Sequence, residues 1–427
     1  MADVKTVSGE KGYARPQRRS VIREDNPDLI HPRSVRTFAK MAREDAQAKS
    51  VIKAVTLPIE RTTWRIAPNG ADPAVARMVA EDLNLPMIGD VAADQKSNLG
   101  KVAWQEHLPW ALKMLVYGHA FFEKVYTDGS DGPQRLRKLA PRLQDTIKKI
   151  DVAYDGGLES ITQKATTDRN GRFYPEVELE VSRLLAYVNE PEDMSWVGTS
   201  LLRPAYKHWI KKDDLLELEA IVLERNGMGV PTYESYSDSD QDDIDRGQEM
   251  VEGLRAGDTA GASIKKGSKL SIEGVKGQLA SPREAIVYHD SQIARSALAH
   301  ALNLEGKGGS YALAEVQMDL FIQYLQAIAE RIATIANKYL VEDMVEKFTG
   351  ERIGPFPLIT FDPVGSKKEL TAEALAGLVR DGVILPDRDL EEEIRRRYNL
   401  PPKRPLEEAL AEKNSERGND EETNPGS

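Results

Sequence analysis

The chain has 427 residues, with 58 Lys and Arg against 69 Asp and Glu for a net charge of −11, and no cysteine. At roughly 100–200 residues per domain the length allows about two to four domains with a real core. The missing thiols exclude disulfide scaffolds, thiolate zinc sites and cysteine nucleophiles, and fit a reducing cytoplasm; the acidic balance argues against a protein built to grip nucleic acid, though not against one that DNA merely passes.

Aromatic residues at 6% and charged residues at 30% suit a helix-rich, solvated or subunit-contacting chain better than a compact β-sandwich. Lys5, Lys11, Arg15, Arg18, Arg19 and Arg23 stand against Asp3 and Glu10 with no apolar stretch of signal-peptide length, so residues 1–30 read as a disordered basic arm. No run of about 18 uncharged apolar residues occurs, and a soluble, non-exported protein is expected. From residue 32 to 57, Val35, Phe38, Ala39, Ala42, Ala46, Ile52 and Val55 recur at three- and four-residue steps, predicting a helix or helix pair. Thr62 to Ile66 is a short β-branched and aromatic run closed by Pro68-Asn69-Gly70, a strand and turn. Asp72 and Pro73 occupy the cap and first position of a helix carrying Val75, Met78, Val79 and Leu83. A third helix is expected from Trp104 to Gly118, then an alternating strand from Ala120 to Tyr126.

Residues 136–188 read as a β-meander broken by Gly156-Gly157 and by residues 168–171. Gly198-Thr199-Ser200 then precedes Pro204, signals for the start of a helix of about 25 residues, roughly 38 Å long, running to Gly227. Between residues 229 and 282 the composition shifts to an insertion: a Ser/Asp-rich stretch over 235–245, a helical pattern over 248–254, and a hairpin expected around Gly267 in residues 262–273. A second long helix is expected from Pro282 to Asn303. After the break Gly306-Lys307-Gly308-Gly309-Ser310 comes the strongest periodicity: Leu313, Val316, Leu320, Tyr324, Ile328, Ile332, Ile335 and Tyr339, the apolar stripe of one helix of roughly 30 residues. Gly354-Pro355-Phe356-Pro357 ends it, Leu358 to Phe361 is a strand, and helical patterns over 370–398 precede an acidic tail, residues 403–427, expected to be disordered. The fold class read from these elements is α+β, mainly helical.

Tests for chemistry give little. The break at Gly306 lacks the Ser or Thr after Lys307, and the strand before it, that a phosphate loop needs. His289 and His300, eleven residues apart on one helix, stand about 16 Å apart and cannot share a metal. Asp238, Asp240, Asp242, Asp243 and Asp245 resemble a calcium loop in spacing, but Asp243 falls where that loop needs glycine, so a solvated acidic loop is expected. Gly198-Thr199-Ser200 lacks the pattern of a nucleophile elbow. Two other readings stay open, a metal-dependent hydrolase using scattered carboxylates and a scaffolding adaptor that does not encircle DNA.

The order of features carries more. Residues 31–66, the passage Gly198-Thr199-Ser200-Leu201-Leu202-Arg203-Pro204-Ala205-Tyr206 through Gly227-Met228-Gly229-Val230-Pro231, residues 290–316, Val379-Arg380-Asp381-Gly382-Val383-Ile384-Leu385-Pro386 and Tyr398-Asn399-Leu400-Pro401 resemble the portal proteins of tailed bacteriophages, in particular the Mu-like branch. The resemblance covers about residues 31–402. It implies a non-enzymatic, cofactor-free and metal-free subunit of a ring, typically of twelve copies, at one capsid vertex of the virion, assembled in the host cytoplasm without membrane contact. Through the ring double-stranded DNA is packaged and ejected, and its partners are the terminase large subunit, the major capsid protein and head–tail connector or adaptor proteins. It further implies a wing (31–199), stem helices (200–227 and 283–303), a clip (228–282), a tunnel loop (304–310), a long wing helix with return strand (311–370) and a crown (371–402). The tunnel loop would present Gly306, Lys307, Gly308 and Gly309. Lys307 is the first candidate for DNA contact and Lys265, Lys266 and Lys269 of the clip are the next. An acidic ring with isolated lysines suits sliding DNA, since each neutralised phosphate adds drag.

Overall fold

A computed structural model describes residues 24–89, 102–128, 132–192, 194–228, 230–237, 240–253, 262–273, 281–297, 311–365 and 380. The chain divides into a unit of Met1–Gly365 and one of Ser366–Ser427, and every described residue but Arg380 belongs to the first. Residues 1–23, 304–310, 371–379, 381–402 and 403–427, which include much of the predicted arm and crown and the whole of the predicted tunnel loop and tail, lie outside the described residues.

The first predicted helix is a pair, α1 (Arg33–Glu44) and α2 (Ala46–Arg61), because Asp45 leaves the helical conformation and its carboxylate accepts the Ala48 N–H at 2.8 Å, capping α2. Then follow β1 (Trp64–Ala67) and α3 (Pro73–Leu83), capped by Asp72, which accepts from the Ala74 N–H at 2.7 Å. The single helix expected over 104–118 is broken at Leu112–Lys113 into α4 (Trp104–Ala111) and α5 (Met114–Tyr117). Two strands, β2 (His119–Tyr126) and β3 (Leu136–Arg142), pair antiparallel. The meander continues as β4 (Ile147–Val152), β5 (Leu158–Gln163), β6 (Thr166–Thr167), β7 (Phe173–Tyr174), β8 (Val177–Glu180) and β9 (Leu184–Val188), arranged in sheets of order β3-β2-β9, β4-β5-β8 and β6-β7. The strand β2 is buried on both faces over His119–Lys124, rather than alternating, because Ala120 and Phe122 join one core while Phe121 joins another.

Next come α6 (Tyr206–Met228), β10 (Val230–Glu234), α7 (Gln241–Gly253), β11 (Lys269–Glu273) and α8 (Pro282–Arg295). The helix α6 starts only after Pro204; residues 201–205 form hydrogen-bonded turns, since proline disfavours the helical conformation in the residue before it. The expected hairpin around Gly267 is limited to a tight turn bridging Lys266 and Ser268, and β11 pairs with β10 instead, Val230 opposite Glu273 and Glu234 opposite Lys269. The long helix is present as α9 (Tyr311–Ala336), a π turn (Asn337–Val341) and α10 (Glu342–Thr349), followed by β12 (Leu358–Phe361). Its stripe differs from expectation. Ile328 and Ile332 are buried, but Val316, Leu320 and Tyr339 are exposed, and Phe321, Leu325, Ala329, Ala333, Ala336 and Leu340 complete the packed face. The extra residue of the π turn rotates Tyr339 outward and Leu340 inward.

Three apolar cores organise this unit. The largest joins α2, α3, α4, β1, β2, α9, α10 and β12 around Trp64, whose ring lies 5.4 Å from Trp104 and 4.7 Å from Phe361. There β1 pairs with β12 across almost the whole unit, Trp64 opposite Phe361. Asn337 extends the ladder, accepting from the Ile359 N–H at 2.7 Å and donating to its carbonyl at 3.1 Å. A second core seats the start of α6 and the end of α8 on α1 and α2 through Phe38, Met41, Ile52, Leu202, Tyr206 and Ile293. The third lies between the two three-stranded sheets.

Candidate subunit and nucleic-acid interface

The paired helices α6 and α8 leave the second core at a joint built by backbone contact. Gly118 and Gly198 cross so closely that a Cβ on Gly198 would sit 2.2 Å from the Gly118 carbonyl oxygen, and both have positive φ, so only glycine fits. Ser200 Oγ accepts the Leu202 N–H at 3.1 Å and donates to the Val116 carbonyl, tying the entry to α6 onto α5.

Above the joint, polar contacts clasp the two helices. Lys212 is buried, with Nζ 2.8 Å from Asp45 at the cap of α2 and 2.6 Å from Asp290 on α8. Burial lowers its pKa, but hydrogen bonds and charge from Asp290 and Asp45 outweigh that and hold the ammonium above its ordinary value. One turn earlier, His208 Nδ1 lies 3.0 Å from His289 Nδ1, so one ring donates and the other accepts. Burial, then the proximity of His289 and Lys207, depress the His208 pKa. Farther along, Arg283 pairs with Glu219 at 3.1 Å.

Beyond the clasp the helices carry apolar side chains that nothing described covers. On α6, Leu215, Glu219 and Val222 are half-buried, while Leu216 (41% exposed) and Leu223 (67%) stand on one flank and Leu218 (46%) and Ile221 (47%) on the other. Val287 and Tyr288 of α8 are also exposed. A lone exposed leucine needs no explanation, whereas apolar rows on both flanks of one helix, uncovered by any described residue, do.

The insertion between α6 and α8 is organised by Asp243, which is buried and accepts from Ser235 Oγ at 2.8 Å, Tyr233 OH at 3.0 Å and Ser268 Oγ at 3.4 Å. Gly247 lets α7 lie against the Tyr233 ring, where a Cβ would come within 2.1 Å. The acidic run is only partly the solvated loop expected: Asp242 and Asp245 are exposed, but on α7, Asp240 caps that helix by accepting the Asp243 N–H at 3.1 Å, Asp243 is the polar core of the insertion, and Asp238 lies outside the described residues. Burial pushes the Asp243 carboxyl up, but hydrogen bonds from Ser235, Lys265 and Tyr233 overcome that and leave it below its ordinary value.

Of the predicted DNA-contact lysines, Lys265 points back into this core, 3.2 Å from Asp243 and 3.7 Å from Asp240. The Asp243 hydrogen bond holds its pKa above the ordinary value. Lys266 and Lys269 are exposed and have no ion-pair partner among the described residues. Lys307, with Gly306, Gly308 and Gly309, lies outside them. The neighbour of His289 is thus not a histidine spaced along its own helix but His208 across the helix pair, a contact that no spacing along the chain encodes.

The other described histidines are packing residues. Burial lowers His107 to about 3 and His31 to about 4. Burial, with help from His31, lowers His119 to about 4 despite the hydrogen bond from its Nδ1 to the Val197 carbonyl at 2.8 Å. Among the described residues no group of three His, Cys, Asp or Glu side chains is placed to hold a metal ion, and no helix is long and apolar enough to cross a membrane.

A family model described as the portal protein of Mu bacteriophage matches residues 35–400. Among solved structures, a chain in the neck of the native gene transfer agent (GTA) particle, computed with C12 symmetry, superposes with a TM-score of 0.53 at 12% identity, over 87% of this chain and 95% of that one. A chain in the neck of the empty GTA particle, computed with C6 symmetry, gives 0.52 at 14% identity, over 86% and 94%. A chain of the native GTA virion gives 0.52 at 12% identity, over 87% and 95%. At these identities the likeness is one of fold.

Proposed function

The chain belongs to the family of Mu bacteriophage portal proteins, and from that premise we propose that twelve copies form the ring at one capsid vertex through which double-stranded DNA is packaged and later ejected. In this reading the protein has no catalytic step. It is a structural conduit of the virion, and α6 and α8 form the stem, with the insertion between them as the clip.

The observation that carries the reading is the pair of apolar flanks on α6. A ring needs a heterologous interface, in which one surface of a subunit meets a different surface of the next, and it closes only if the rotation does. Leu216 and Leu223 on one flank and Leu218 and Ile221 on the other supply two such surfaces. The polar clasp at Lys212 and at His208–His289 keeps the pair aligned while both flanks stay open. The C12 symmetry of the GTA neck supports twelve as the count.

For DNA, the reading assigns passage rather than grip. Lys266 and Lys269 are the clip lysines free to meet phosphate, Lys265 being engaged by Asp243, and Lys307 is assigned to the tunnel loop. The clip would meet the terminase large subunit during packaging and connector or adaptor proteins afterwards, and the wing the major capsid protein. Electron microscopy of the purified protein tests the proposal: class averages down the axis should show a closed ring with a central opening, and particles that never close into rings would refute it.

A further inference from the structure

A groove of about 850 Å³ lies away from the stem, between β2, the turn leading into β9, and the face of the π turn and α10. Leu184, Ala186 and Trp196 line it with apolar surface, and Val181 and Tyr339, at 44% and 45% exposed, leave that surface open to solvent.

Its charge runs against that of the chain. Five cations line it (Lys124, Arg183, Lys338, Lys347 and Arg352) with two carboxylates, Asp343 and Glu346, in a molecule of net charge −11. Lys124 is committed to Asp343 at 2.9 Å, Arg183 to Glu123 at 2.7 Å and Arg352 to Glu342. Lys338 and Lys347 are exposed, and neither has an ion-pair partner among the described residues; Lys338 lies only over the Tyr339 ring, at 5.2 Å.

The loop that supplies Trp196 is held in an unfavourable backbone conformation. Glu190, Met194 and Trp196 all have positive φ, of 41°, 56° and 59°, a region that bulky L-residues rarely occupy and that persists where the surroundings over-determine it. Here they do. The Trp196 indole N–H donates to the Gly156 carbonyl at 2.8 Å, and Arg331 donates to Asn189 Oδ1 at 3.1 Å. The indole is thus fixed at the groove before anything binds, which lowers the ordering cost of binding.

We propose that this groove is a docking site for an acidic peptide segment of a partner protein, with a large apolar side chain seated against Trp196 and Tyr339 and carboxylates meeting Lys338 and Lys347. A peptide fits better than a nucleic-acid backbone. Evenly spaced phosphates crossing the groove would meet Asp343 and Glu346 and gain nothing from its apolar lining, whereas a peptide can place its charges unevenly around an apolar anchor. The inference does not depend on ring closure, since none of these residues lies on α6 or α8.

The test uses the full-length protein and a fluorescein-labelled peptide, Glu-Glu-Leu-Glu-Glu-Phe-Glu-Glu, followed by fluorescence anisotropy. Its lysine counterpart, Lys-Lys-Leu-Lys-Lys-Phe-Lys-Lys, is the control. The acidic peptide should bind and the basic one should not. Lys338→Glu with Lys347→Glu should weaken binding about tenfold or more, and Tyr339→Ala, which leaves the Tyr339 carbonyl contact with Lys124 in place, should weaken it separately. Unchanged affinity in both variants, no binding up to about 1 mM peptide, or tighter binding of a short duplex DNA that the double lysine variant abolishes would each overturn the proposal.

Discussion

Replacing Lys212 with methionine tests whether the polar clasp, and not only apolar packing, seats α6 and α8 on α1 and α2. Methionine keeps most of the aliphatic stem and removes the charge. It leaves Asp45, whose side chain is 5% exposed, with the Ala48 N–H as its remaining partner, whereas Asp290 at 33% exposure can recover water. Removing one partner of a buried pair costs about 3–5 kcal/mol, chiefly through the charge left behind. With Asp290 rehydrating, about 3 kcal/mol is expected. The clasp holds one helix pair, so a local measurement reads it better than global unfolding, which for a chain of this size need not be two-state. Hydrogen exchange is local. In peptides covering Tyr206–Leu215 and Pro282–Arg295, Lys212→Met should lower protection by on the order of a hundredfold, with little change in β2 or α9. Adding Asp45→Asn to Lys212→Met should restore much of it, because no unpaired buried charge remains. A loss under about threefold, or no recovery in the double variant, would refute the reasoning.

Three further outcomes follow from the same structure. Leu216→Asp with Ile221→Asp places a charge on each flank of α6; both sites are exposed, so monomer stability should shift by about 0.5 kcal/mol or less, while ring formation by size-exclusion chromatography should be lost. Asp243→Ala removes the acceptor shared by Tyr233, Ser235, Ser268 and Lys265, so limited proteolysis should cut between Met228 and Pro282 at least tenfold faster with the rest of the unit intact. The third concerns acid. His31, His107 and His119 are held neutral by burial, with pKa values of about 4, 3 and 4 against 6.5 when unfolded. Their contribution is complete above pH 6.5 and is lost as pH falls from 6.5 toward 4, by up to about 1.4 kcal/mol per pH unit for each. The apparent thermal midpoint, followed from pH 7.5 to 5 at one fixed protein concentration, should fall below pH 6.5, and His107→Gln should flatten that slope.

Elements set by local chemistry were legible in the sequence. Asp72-Pro73 caps a helix as read, and the turn residues around Gly156 and Asp168 separate the strands of the meander where expected. What the sequence hid depends on partners far along the chain. No periodicity says that β1 pairs with β12, that β11 chooses β10 over a hairpin of its own, or that β2 will be covered on both faces. The packed face of α9 departs from the apolar periodicity because it is partly alanine, at Ala329, Ala333 and Ala336, and because a π turn shifts its phase. Which side chains end exposed and which end buried was hardest to see. Leu216 and Ile221 look like core residues until the structure leaves them exposed, and Asp243 looks like surface until Tyr233, Ser235 and Lys265 close around it.

The ring itself is tested most directly by mass photometry of the purified, untagged protein at physiological salt. Twelve copies of a 47.5 kDa chain give a single species near 570 kDa, which should fall to the mass of one chain in the variant with both α6 flanks charged. A wild-type protein that stays near 47.5 kDa at every concentration, or a flank variant that still reaches the full mass, would contradict the account.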